Sequence, residues 1–521
     1  MTAAFNFEPL TPASFLQRSG AVYADRVAVI DGALRLTYAQ LLERTQRLAG
    51  ALVSLGVLPG DRVALLAPNT HVLLEAHYGV PFAGAVLVAL NPRLAAAELA
   101  YILEHSGARV LIYDHEFAAL ADATLALVPA AVESVPCGSN DDAYERLIQA
   151  SPRLMRPVAD ERDLLAINYT SGTTGKPKGV MYHHRGAYLQ ALAMAFQARL
   201  DIDSVFLWTL PMFHCNGWCF TWAVTAAGAT HLCLRRVDPA AIWQHLRLSG
   251  VTHLNAAPTI VTMLAWHQGA TAGRPPQAVR IATGGSPPSP ALLARMAELG
   301  IAMSHLYGLT ETYGPSVICD WRSEWNGLPI AQQARLKARQ GVANVISQAV
   351  RVVAEDGSDL PADGQSLGEI ALRGNNLMLG YYRDAAATLN ACPDGWFRTG
   401  DLGVMHPDGY IELKDRSKDI IISGGENIAS VEIEQALAAH PAVLESAVIA
   451  APDEKWGEVP VAFVTLKEGA QASGEELIDH LRTVLARFKV PKQIVFGELP
   501  KTATGKIQKF LLRQRIKSQF Q

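Results

Sequence analysis

The richest concentration of groups that could bind phosphate lies between Asn168 and Val180, where the chain reads NYTSGTTGKPKGV. Glycines let backbone N–H groups close around phosphate oxygens, Ser and Thr hydroxyls donate further hydrogen bonds, and lysines neutralise charge. The glycine spacing is not that of a Walker A loop, and Pro177 stands where that loop has its Mg²⁺-binding Ser or Thr. The stretch therefore predicts a phosphate loop of another kind. On composition alone, a flexible surface turn is the alternative.

Four later stretches also carry groups that could do chemistry. They read YGLTET at 307–312, WFRTGD at 396–401, KDRSKDIIISGGEN at 414–427 and PKTATGKIQK at 500–509. Each has an ordinary structural explanation when taken alone. A Thr-Glu pair is typical of a helix N-terminus, a double glycine of a hairpin turn, and a lone lysine of a solvated surface.

Taken together and in this order, the five stretches resemble the signature motifs of the adenylate-forming (AMP-binding) superfamily. That superfamily contains acyl- and aryl-CoA synthetases, firefly-type luciferases and the adenylation domains of peptide synthetases. The match spans nearly the whole chain. It implies an ATP-dependent ligase that joins a carboxylic acid to coenzyme A through an acyl-adenylate, with ATP, Mg²⁺ and coenzyme A as cofactor and co-substrates.

A carboxylate is already ionised at neutral pH, so its attack on a phosphate needs positioning and charge neutralisation rather than a general base. The candidates for the β- and γ-phosphates are Thr170, Ser171, Gly172, Thr173, Thr174, Gly175 and Lys176. By resemblance, Glu311 holds Mg²⁺ and Thr310 touches the α-phosphate. Tyr307 is expected to stack on adenine, and Asp401 and Arg416 to fix the ribose hydroxyls.

The resemblance also implies two uses of the C-terminal part. Lys506 would neutralise the carboxylate and the α-phosphate during adenylation. After a swing about a hinge near Lys418, the segment Gly424, Gly425 and Glu426 would line the channel for the pantetheine arm. Two residues without side chains suit a narrow channel.

The acid pocket is expected around PMFHCNGW at 211–218 and ATGGSP at 282–287. By resemblance His214 lies near the carboxylate and Trp218 walls the pocket, while Gly284, Gly285 and Ser286 line the junction of acyl group and adenine. A core His or Trp is the plain alternative. Apolar residues here favour an uncharged acyl tail. A zinc site at 214–219 lacks the second Cys/His pair that such sites show.

The sequences LNPRL at 90–94 and FHCNGW at 213–218 are most similar to those of bacterial short- to medium-chain acyl-CoA ligases. That group includes the 3-methylmercaptopropionyl-CoA ligases and is related to plant acyl-activating enzymes. An adenylation enzyme that loads a carrier-protein thiol is a rival, disfavoured because no carrier domain follows Gln521. A P-loop NTPase is disfavoured by the missing Walker A spacing.

The elements that must position these groups alternate between helical and strand patterns. In the first third, helices are predicted at 38–55, 72–78 and 98–105, and strands at 62–67, 85–90 and 108–113. Such alternation predicts an α/β fold with parallel sheets covered by helices. Short β runs between Gly341 and Leu413, separated by four Asp-Gly pairs, predict hairpins and a small β-barrel-like part.

After Arg416 the pattern returns to a βαβ type, with helices at 431–439 and 475–486 and strands at 444–450 and 461–466. We therefore expect an N-terminal AMP- and acyl-binding domain at 1–415 and a small mobile α+β domain at 416–521.

Length, composition and charge indicate the number of domains and the kinds of partner and location to expect. A chain of 521 residues needs two or more domains, and a net charge of −4 gives no basic face for nucleic acid. Six cysteines make no disulfide framework. No membrane span, secretory signal or C-terminal peroxisomal address is visible, so a cytoplasmic location is expected. The expected partners are the acid, ATP and coenzyme A, and a homodimer is compatible with this chain.

Overall fold

A computed structural model describes residues 7–139, 142–170, 177–284, 288, 290–416, 419–423, 426–453, 456–502 and 507–519. Its helices are α1 Ala13–Val22, α2 Tyr38–Ser54, α3 His71–Phe82, α4 Ala96–Ser106, α5 Ala118–Leu125, α6 Ala143–Ala150, α7 His184–Ala198, α8 Cys215–Trp218, α9 Phe220–Ala227, α10 Pro239–Leu248, α11 Pro258–Trp266, α12 Pro290–Glu298, α13 Ile330–Ala338, α14 Ala385–Ala391, α15 Ser430–Ala438, α16 Gly474–Val484 and α17 Lys509–Gln519. None of the described helices is both long enough and apolar enough to cross a bilayer.

The strands follow in the same way. They are β1 Val27–Asp31, β2 Leu34–Thr37, β3 Arg62–Leu66, β4 Val86–Ala89, β5 Ala108–Asp114, β6 Glu133–Cys137, β7 Leu164–Thr170, β8 Lys178–His183, β9 Val205–Leu207, β10 Thr230–Leu232, β11 His253–Ala256, β12 Val279–Gly284, β13 Ile301–Leu309, β14 Gly314–Ile318, β15 Val342–Ala343, β16 Arg351–Val353, β17 Gly368–Leu372, β18 Phe397–Met405, β19 Ile411–Arg416, β20 Ile421–Ser423, β21 Glu426–Ile428, β22 Val443–Asp453, β23 Gly457–Leu466 and β24 Gln493–Phe496.

Two largely parallel sheets form the body of the N-terminal part, as the alternation predicts. Sheet I has the order β15-β14-β13-β12-β11-β9-β10-β1-β2, parallel from β1 to β13 along that path and antiparallel at both edges. Sheet II has the order β6-β5-β3-β4-β7-β8, and its β7–β8 pair is antiparallel. One apolar core fills the space between helices and residues of both sheets.

The segment rich in Asp-Gly pairs forms the antiparallel sheet III, with the order β16-β17-β18-β19. Gly409, at a positive φ of 82°, turns the chain between β18 and β19 as predicted. Asp356-Gly357 likewise lies in the turn that brings Asp359 back against Val353. The other two pairs lie in the longer connections that lead to β17 and β18.

Sheet IV holds the strands that follow the predicted hinge, with the order β21-β20-β23-β22 and β24 beside β23. The βαβ unit is β23–α16–β24, whose strands are parallel. The predicted strands at 444–450 and 461–466 pair antiparallel as β22 and β23. Apolar residues that come only from this part of the chain form two clusters on the faces of sheet IV.

Helix α3 shows how burial overrides a pattern. The helix predicted at 72–78 continues through Gly79 and Pro81 to Phe82. A Cβ at position 79 would lie 2.6 Å from Leu48 Cδ2, so Gly79 allows α2 to pack closely on α3. Every residue of α3 after His71 is buried, and packing on all sides outweighs the low helix propensity of Gly and Pro.

Candidate functional site

The predicted phosphate loop connects two neighbouring strands of sheet II. Of its proposed ligands, Ser171, Gly172, Thr173, Thr174, Gly175 and Lys176 lie outside the described residues. Its two ends are described, because Thr170 closes β7 and pairs directly with Lys178, the first residue of β8. The strand before the loop is β7, Leu164–Thr170.

Glu311 lies in a 3₁₀ turn, residues Thr310–Thr312, that follows β13. Its Oε1 accepts a hydrogen bond from the Tyr381 hydroxyl at 2.7 Å, and Lys178 Nζ lies 4.8 Å from the centre of the Tyr381 ring. Burial and the neighbouring Glu311 carboxylate raise the pKa of Tyr381, so this hydroxyl stays a neutral donor. A single carboxylate fits Mg²⁺, which proteins commonly bind through one or two carboxylates together with substrate phosphates.

Thr310 touches both the strand that follows the loop and the acyl segment, by which we mean residues 214–219. Its carbonyl oxygen accepts a hydrogen bond from the Tyr182 hydroxyl of β8 at 2.5 Å. Its Oγ1 accepts one from the Cys215 thiol at 3.6 Å. The Tyr182 ring stacks on Tyr313 with centroids 3.8 Å apart. The predicted α-phosphate contact therefore sits where β8, the 3₁₀ turn and the acyl segment meet.

The three residues assigned to the nucleoside lie together. Arg416 Nε is 3.1 Å from Asp401 Oδ1, and the Tyr307 hydroxyl donates to Asp401 Oδ2 at 2.8 Å. Asp401 and Arg416 are paired residues of β18 and β19, and Tyr307 comes from β13, so sheets I and III meet here. The grouping brings a carboxylate to the place expected for the ribose. Tyr307 is 7% exposed and packs in an apolar cluster.

The acyl segment has an unusual backbone. Cys215, Asn216, Gly217, Trp218 and Cys219 all have φ between 45° and 63°, so α8 is a left-handed turn. Such a conformation costs roughly 1–2 kcal/mol for each residue other than glycine. Strain of this kind persists only where the surroundings hold it, and it concentrates at functional sites.

Trp218 lies across two glycines of sheet I. A Cβ on Gly284 would come within 3.2 Å of Trp218 Cη2, and one on Gly314 within 3.0 Å of Trp218 Cδ1. The Leu306 carbonyl oxygen, 2.7 Å from the Cβ position on Gly284, and the indole ring together fill the space beside Gly284. Trp218 is 8% exposed and belongs to the main apolar core, and it lies beside Gly284 of the predicted junction.

His214 and Cys215 do not form a metal site with their neighbours. Cys215 Sγ lies 3.8 Å from His214 Nε2, and burial raises the pKa of the Cys215 thiol to about 12. The Cys219 thiol donates to the Tyr313 carbonyl oxygen. Among the described residues, no group of three or more His, Cys, Asp or Glu side chains could hold a metal ion.

Most of the remaining predicted site residues lie just outside the described ranges. Lys506, Gly424, Gly425, Gly285, Ser286 and the hinge residue Lys418 lie outside them. Lys501 and Ile507 pair across the segment that contains Lys506, and Ser423 pairs with Glu426 across the double glycine. Glu426 is exposed.

Several contributing residues were missed by the sequence argument. Tyr182 and Tyr381 support Thr310 and Glu311 from positions that carry no local motif. Asn168 and Asn216 contact each other although 48 positions apart, and no spacing signals such a pair. Lys178 had a sequence signal, since it stands in the same glycine-rich stretch as Lys176, but its pairing with Thr170 comes only from the β7–β8 register.

Comparison with known proteins explains the grouping. The pattern of the family described as AMP-binding enzyme matches residues 16–382, and that of its C-terminal domain matches residues 432–506. The peroxisomal acetate/butyrate–CoA ligase of Arabidopsis thaliana is 43% identical, over 98% of this chain and 95% of that one.

Solved structures agree. ATP-bound MatB from Rhodopseudomonas palustris is similar with a TM-score of 0.87 and 28% identity, covering 98% of this chain and all of that one. The anthranilate CoA ligase AuaEII in complex with anthranoyl-AMP gives 0.87 and 25%, covering 99% of each. With its phosphate-loop strands, acyl segment and Asp401–Arg416 pair arranged as described, this chain belongs to the AMP-binding enzymes.

Proposed function

We propose that this AMP-binding enzyme ligates a short carboxylic acid with an uncharged acyl tail to coenzyme A. The reaction consumes ATP and releases AMP and pyrophosphate. The observation that carries the proposal is the position of Trp218, which lies against Gly284 and Gly314 while the same acyl segment contacts Thr310. Trp218 is three residues after Cys215, whose thiol contacts the candidate α-phosphate ligand Thr310. We propose that the indole ring, at this place, leaves little depth for a long acyl tail.

In the first half-reaction, a carboxylate oxygen of the acid attacks the α-phosphorus of ATP and pyrophosphate leaves. Lys176 and the loop hydroxyls bind the β- and γ-phosphates, and Thr310 contacts the α-phosphate. His214 and Lys506 lie near the carboxylate. Glu311 would hold Mg²⁺, which supplies positive charge to the phosphates. These groups act by positioning and electrostatics.

The nucleoside is bound on the other side of Thr310. Asp401 accepts hydrogen bonds from the ribose hydroxyls and is itself held by Arg416 and Tyr307. Tyr307 contributes its ring to the adenine site.

In the second half-reaction, the thiol of coenzyme A attacks the acyl carbon and AMP leaves with the carboxylate oxygen. We propose that the part after the hinge near Lys418 moves between the two steps, which makes 1–415 and 416–521 the two domains. In the thioester-forming arrangement Gly424, Gly425 and Glu426 line the pantetheine channel. One lysine loop and one double-glycine loop on the same small domain support this two-step use.

The acid is proposed to be acetate, butyrate or a similar short acid. The Arabidopsis relative is named for acetate and butyrate, and the proposed limit on depth at Trp218 agrees with acids of that size. The alternative substrate is 3-methylmercaptopropionate, because the sequences of residues 90–94 and 213–218 resemble those of the ligases for that acid. We also propose a cytoplasmic location and a homodimer as the functional form, although the Arabidopsis relative is named as peroxisomal.

The test is the exchange of labelled pyrophosphate into ATP with a series of straight-chain acids from acetate upward. We expect exchange that depends on the acid and is strongest for short acids. Added coenzyme A should then be consumed to give the thioester. Exchange without consumption of free coenzyme A would indicate an enzyme that loads a carrier-protein thiol. Absence of acid-dependent exchange would contradict the proposal.

A further inference from the structure

A chain of buried amide groups connects the strand before the phosphate loop to the acyl segment. Asn168 of β7 donates through Nδ2 to Asn216 Oδ1 at 2.6 Å. Its Oδ1 accepts the backbone N–H of Asn216 at 3.3 Å. Asn168 is 3% exposed and Asn216 is fully buried, so water does not compete for these bonds. Buried amides are costly unless every group is paired, and here they pair with each other.

The third member of the chain is His77 of α3. Asn216 Nδ2 lies 3.0 Å from His77 Nε2, and His77 Nδ1 lies 2.7 Å from the Leu73 carbonyl oxygen. A carbonyl can only accept, so the proton of neutral His77 is on Nδ1 and Nε2 accepts from Asn216. Burial lowers the pKa of His77 to about 4, which keeps the ring neutral at neutral pH.

The direction of every bond is therefore determined. The Asn216 backbone N–H requires Asn168 Oδ1 as its acceptor, which turns Asn168 Nδ2 toward Asn216 Oδ1. That arrangement leaves Asn216 Nδ2 to donate to His77. Reversing one amide would place two donors or two acceptors together at the next contact. A fully paired buried network of this kind specifies one geometry.

Asn216 stands at the centre of the left-handed turn. Its φ of 45° and ψ of 48° are a conformation that asparagine adopts more readily than most residues. On one side, Cys215 contacts Thr310. On the other, Trp218 lies against Gly284 and Gly314. The same amide pair holds β7 two residues before Thr170, where the loop begins.

We propose that Asn168, Asn216 and His77 are positioning residues that hold the acyl segment in a fixed place relative to the phosphate-loop strand. They set where the acid lies when its carboxylate meets the α-phosphate. This role rests on the proposed function. Adenylation depends on that relative placement, and a misplacement of about 1 Å can slow such a step roughly a hundredfold. Attack by coenzyme A on an adenylate already formed no longer depends on it, since acyl group and phosphate are then one molecule.

We call the hydrogen-bonded chain of Asn168, Asn216 and His77 the relay. Asn216→Asp tests it with little change in side-chain shape. An aspartate tolerates the left-handed conformation and can accept from Asn168, but it has no N–H to donate, so its contact with His77 must hold an extra proton, on the acid or on the ring, in place of the fixed amide N–H. We expect acid-dependent pyrophosphate exchange to fall about a hundredfold, with a higher KM for the acid and a broader chain-length profile. The KM for ATP, and thioester formation from supplied butyryl-adenylate and coenzyme A, should stay near the wild-type values.

Two further variants keep the test decisive. Thr221→Val removes the hydroxyl that donates to the Asn216 carbonyl at 3.0 Å, and it should act in the same direction but more weakly. If Asn216→Asp does not fold, Thr221→Val alone tests the positioning role. Ser19→Ala is the matched control, because it removes a buried hydrogen bond, to the Thr225 carbonyl, outside the relay. It should lower the melting temperature and leave the acid KM unchanged.

The relay would be overturned if the Asn216 and Thr221 variants slowed both half-reactions by the same factor with an unchanged acid KM and chain-length profile. That is the behaviour expected of a purely structural role, and of Ser19→Ala. Acid-dependent exchange by the wild-type enzyme is measured first. Its absence would overturn the proposed function and this proposal with it, whereas its presence together with the structural pattern would overturn the relay alone.

Discussion

Glu311 lies in a half-buried turn, where one of its carboxylate oxygens accepts a hydrogen bond from Tyr381. Tyr381 in turn lies beneath the ammonium group of Lys178. The Glu311 carboxylate thus has a hydrogen-bond donor next to it, with a lysine ammonium group beyond that donor's ring. At the scale of single residues, the site is organised around this carboxylate and around the indole ring of Trp218.

Glu311→Gln should lower the rate of adenylation about a thousandfold. The change keeps the shape but removes the charge proposed to hold Mg²⁺, an interaction worth several kcal/mol. Pyrophosphate exchange measured across a range of Mg²⁺ concentrations checks this. Tyr381→Phe is the control, because it leaves the carboxylate and removes only the 2.7 Å hydrogen bond, so it should cost far less. Near-normal turnover of Glu311→Gln at saturating Mg²⁺ would rule out the assigned role.

Trp218→Ala should shift the preference toward longer acids. Removing the ring opens space beside Gly284, and each methylene that a pocket accepts or refuses changes discrimination by roughly 1–3 kcal/mol. The measurement is kcat/KM for a series of acids by chain length. Trp266→Ala, in a tryptophan of α11 that is 43% exposed, provides the control and should leave the series unchanged. An unaltered profile in Trp218→Ala would assign the ring to the core alone.

At this scale the sequence singles out residues inside recognisable stretches, such as Glu311, Asp401 and Trp218, and their roles stay predictions. It did not predict their supports. Tyr182, Tyr381 and His77 reach the site from β8, from the connection before α14 and from α3. Their contacts depend on packing between distant segments, which leaves no periodicity and no spacing in the chain.

Helix α3 is the element that carries the acyl segment. Asn69, just before it, accepts the Met212 N–H and donates to the Trp208 and Leu210 carbonyls, and the Tyr78 hydroxyl donates to the Thr221 carbonyl. Its first residue, His71, is held by Asp31 of β1 through both the backbone N–H and Nδ1. Charged groups of α2 and α6 complete this network, where Arg44 bridges Glu75 and Glu145.

The stability of the enzyme should fall between neutral and alkaline pH through His71. Burial disfavours the charged ring, but hydrogen bonds to Asp31 and Glu145 outweigh it and raise the pKa of His71 from 6.5 to about 10. The folded state therefore holds more protons than the unfolded state between these values. This stabilisation is complete below pH 6.5 and is lost as the pH rises through about 10. The slope is at most about 1.4 kcal/mol per pH unit.

Urea unfolding at several pH values measures this slope. His71→Gln retains a hydrogen-bonding side chain but cannot titrate, so it should unfold more easily at pH 7 and should show a flatter dependence on pH. A wild-type and a His71→Gln enzyme with parallel pH profiles would show that His71 is not the responsible group.

Element prediction succeeded where amphipathic periodicity or strand composition was strong. The helix predicted at 38–55 is Tyr38–Ser54, and the strand at 108–113 is Ala108–Asp114. It failed for β24, a short strand whose place is set by pairing with β23. The left-handed turn at 215–219 was equally invisible, because only Gly217 signals a positive φ and the other four residues are held there by their neighbours.

At the scale of the whole molecule, the part of the chain after the predicted hinge contains both of the segments that we propose for the two half-reactions. Lys501 and Ile507 close the segment that contains Lys506, and Ser423 and Glu426 close the one that contains Gly425. If the small domain moves as a rigid body, only one of the two segments faces the site at a time.

Lys506→Ala should abolish pyrophosphate exchange and spare the conversion of a supplied acyl-adenylate and coenzyme A to thioester. Gly425→Leu should do the opposite, because a side chain there would block the pantetheine channel. Each half-reaction is measured separately on each variant. Lys501→Ala is the matched control, since that lysine pairs with Glu445 at 2.7 Å within the same part of the chain. Equal loss of both half-reactions in Lys506→Ala, with an unchanged melting temperature, would mean that the lysine has no divided role.

The central claim is that the acid is activated as its adenylate, and oxygen labelling tests it most directly. With butyrate carrying ¹⁸O in both carboxylate positions, ATP and coenzyme A, one labelled oxygen should remain on the phosphate of AMP after the thiol displaces it. The pyrophosphate should carry no label, because the carboxylate oxygen attacks the α-phosphorus. Mass spectrometry of the AMP and pyrophosphate measures both. Label in inorganic phosphate with ADP as the nucleotide product, or unlabelled AMP, would contradict an acyl-adenylate intermediate.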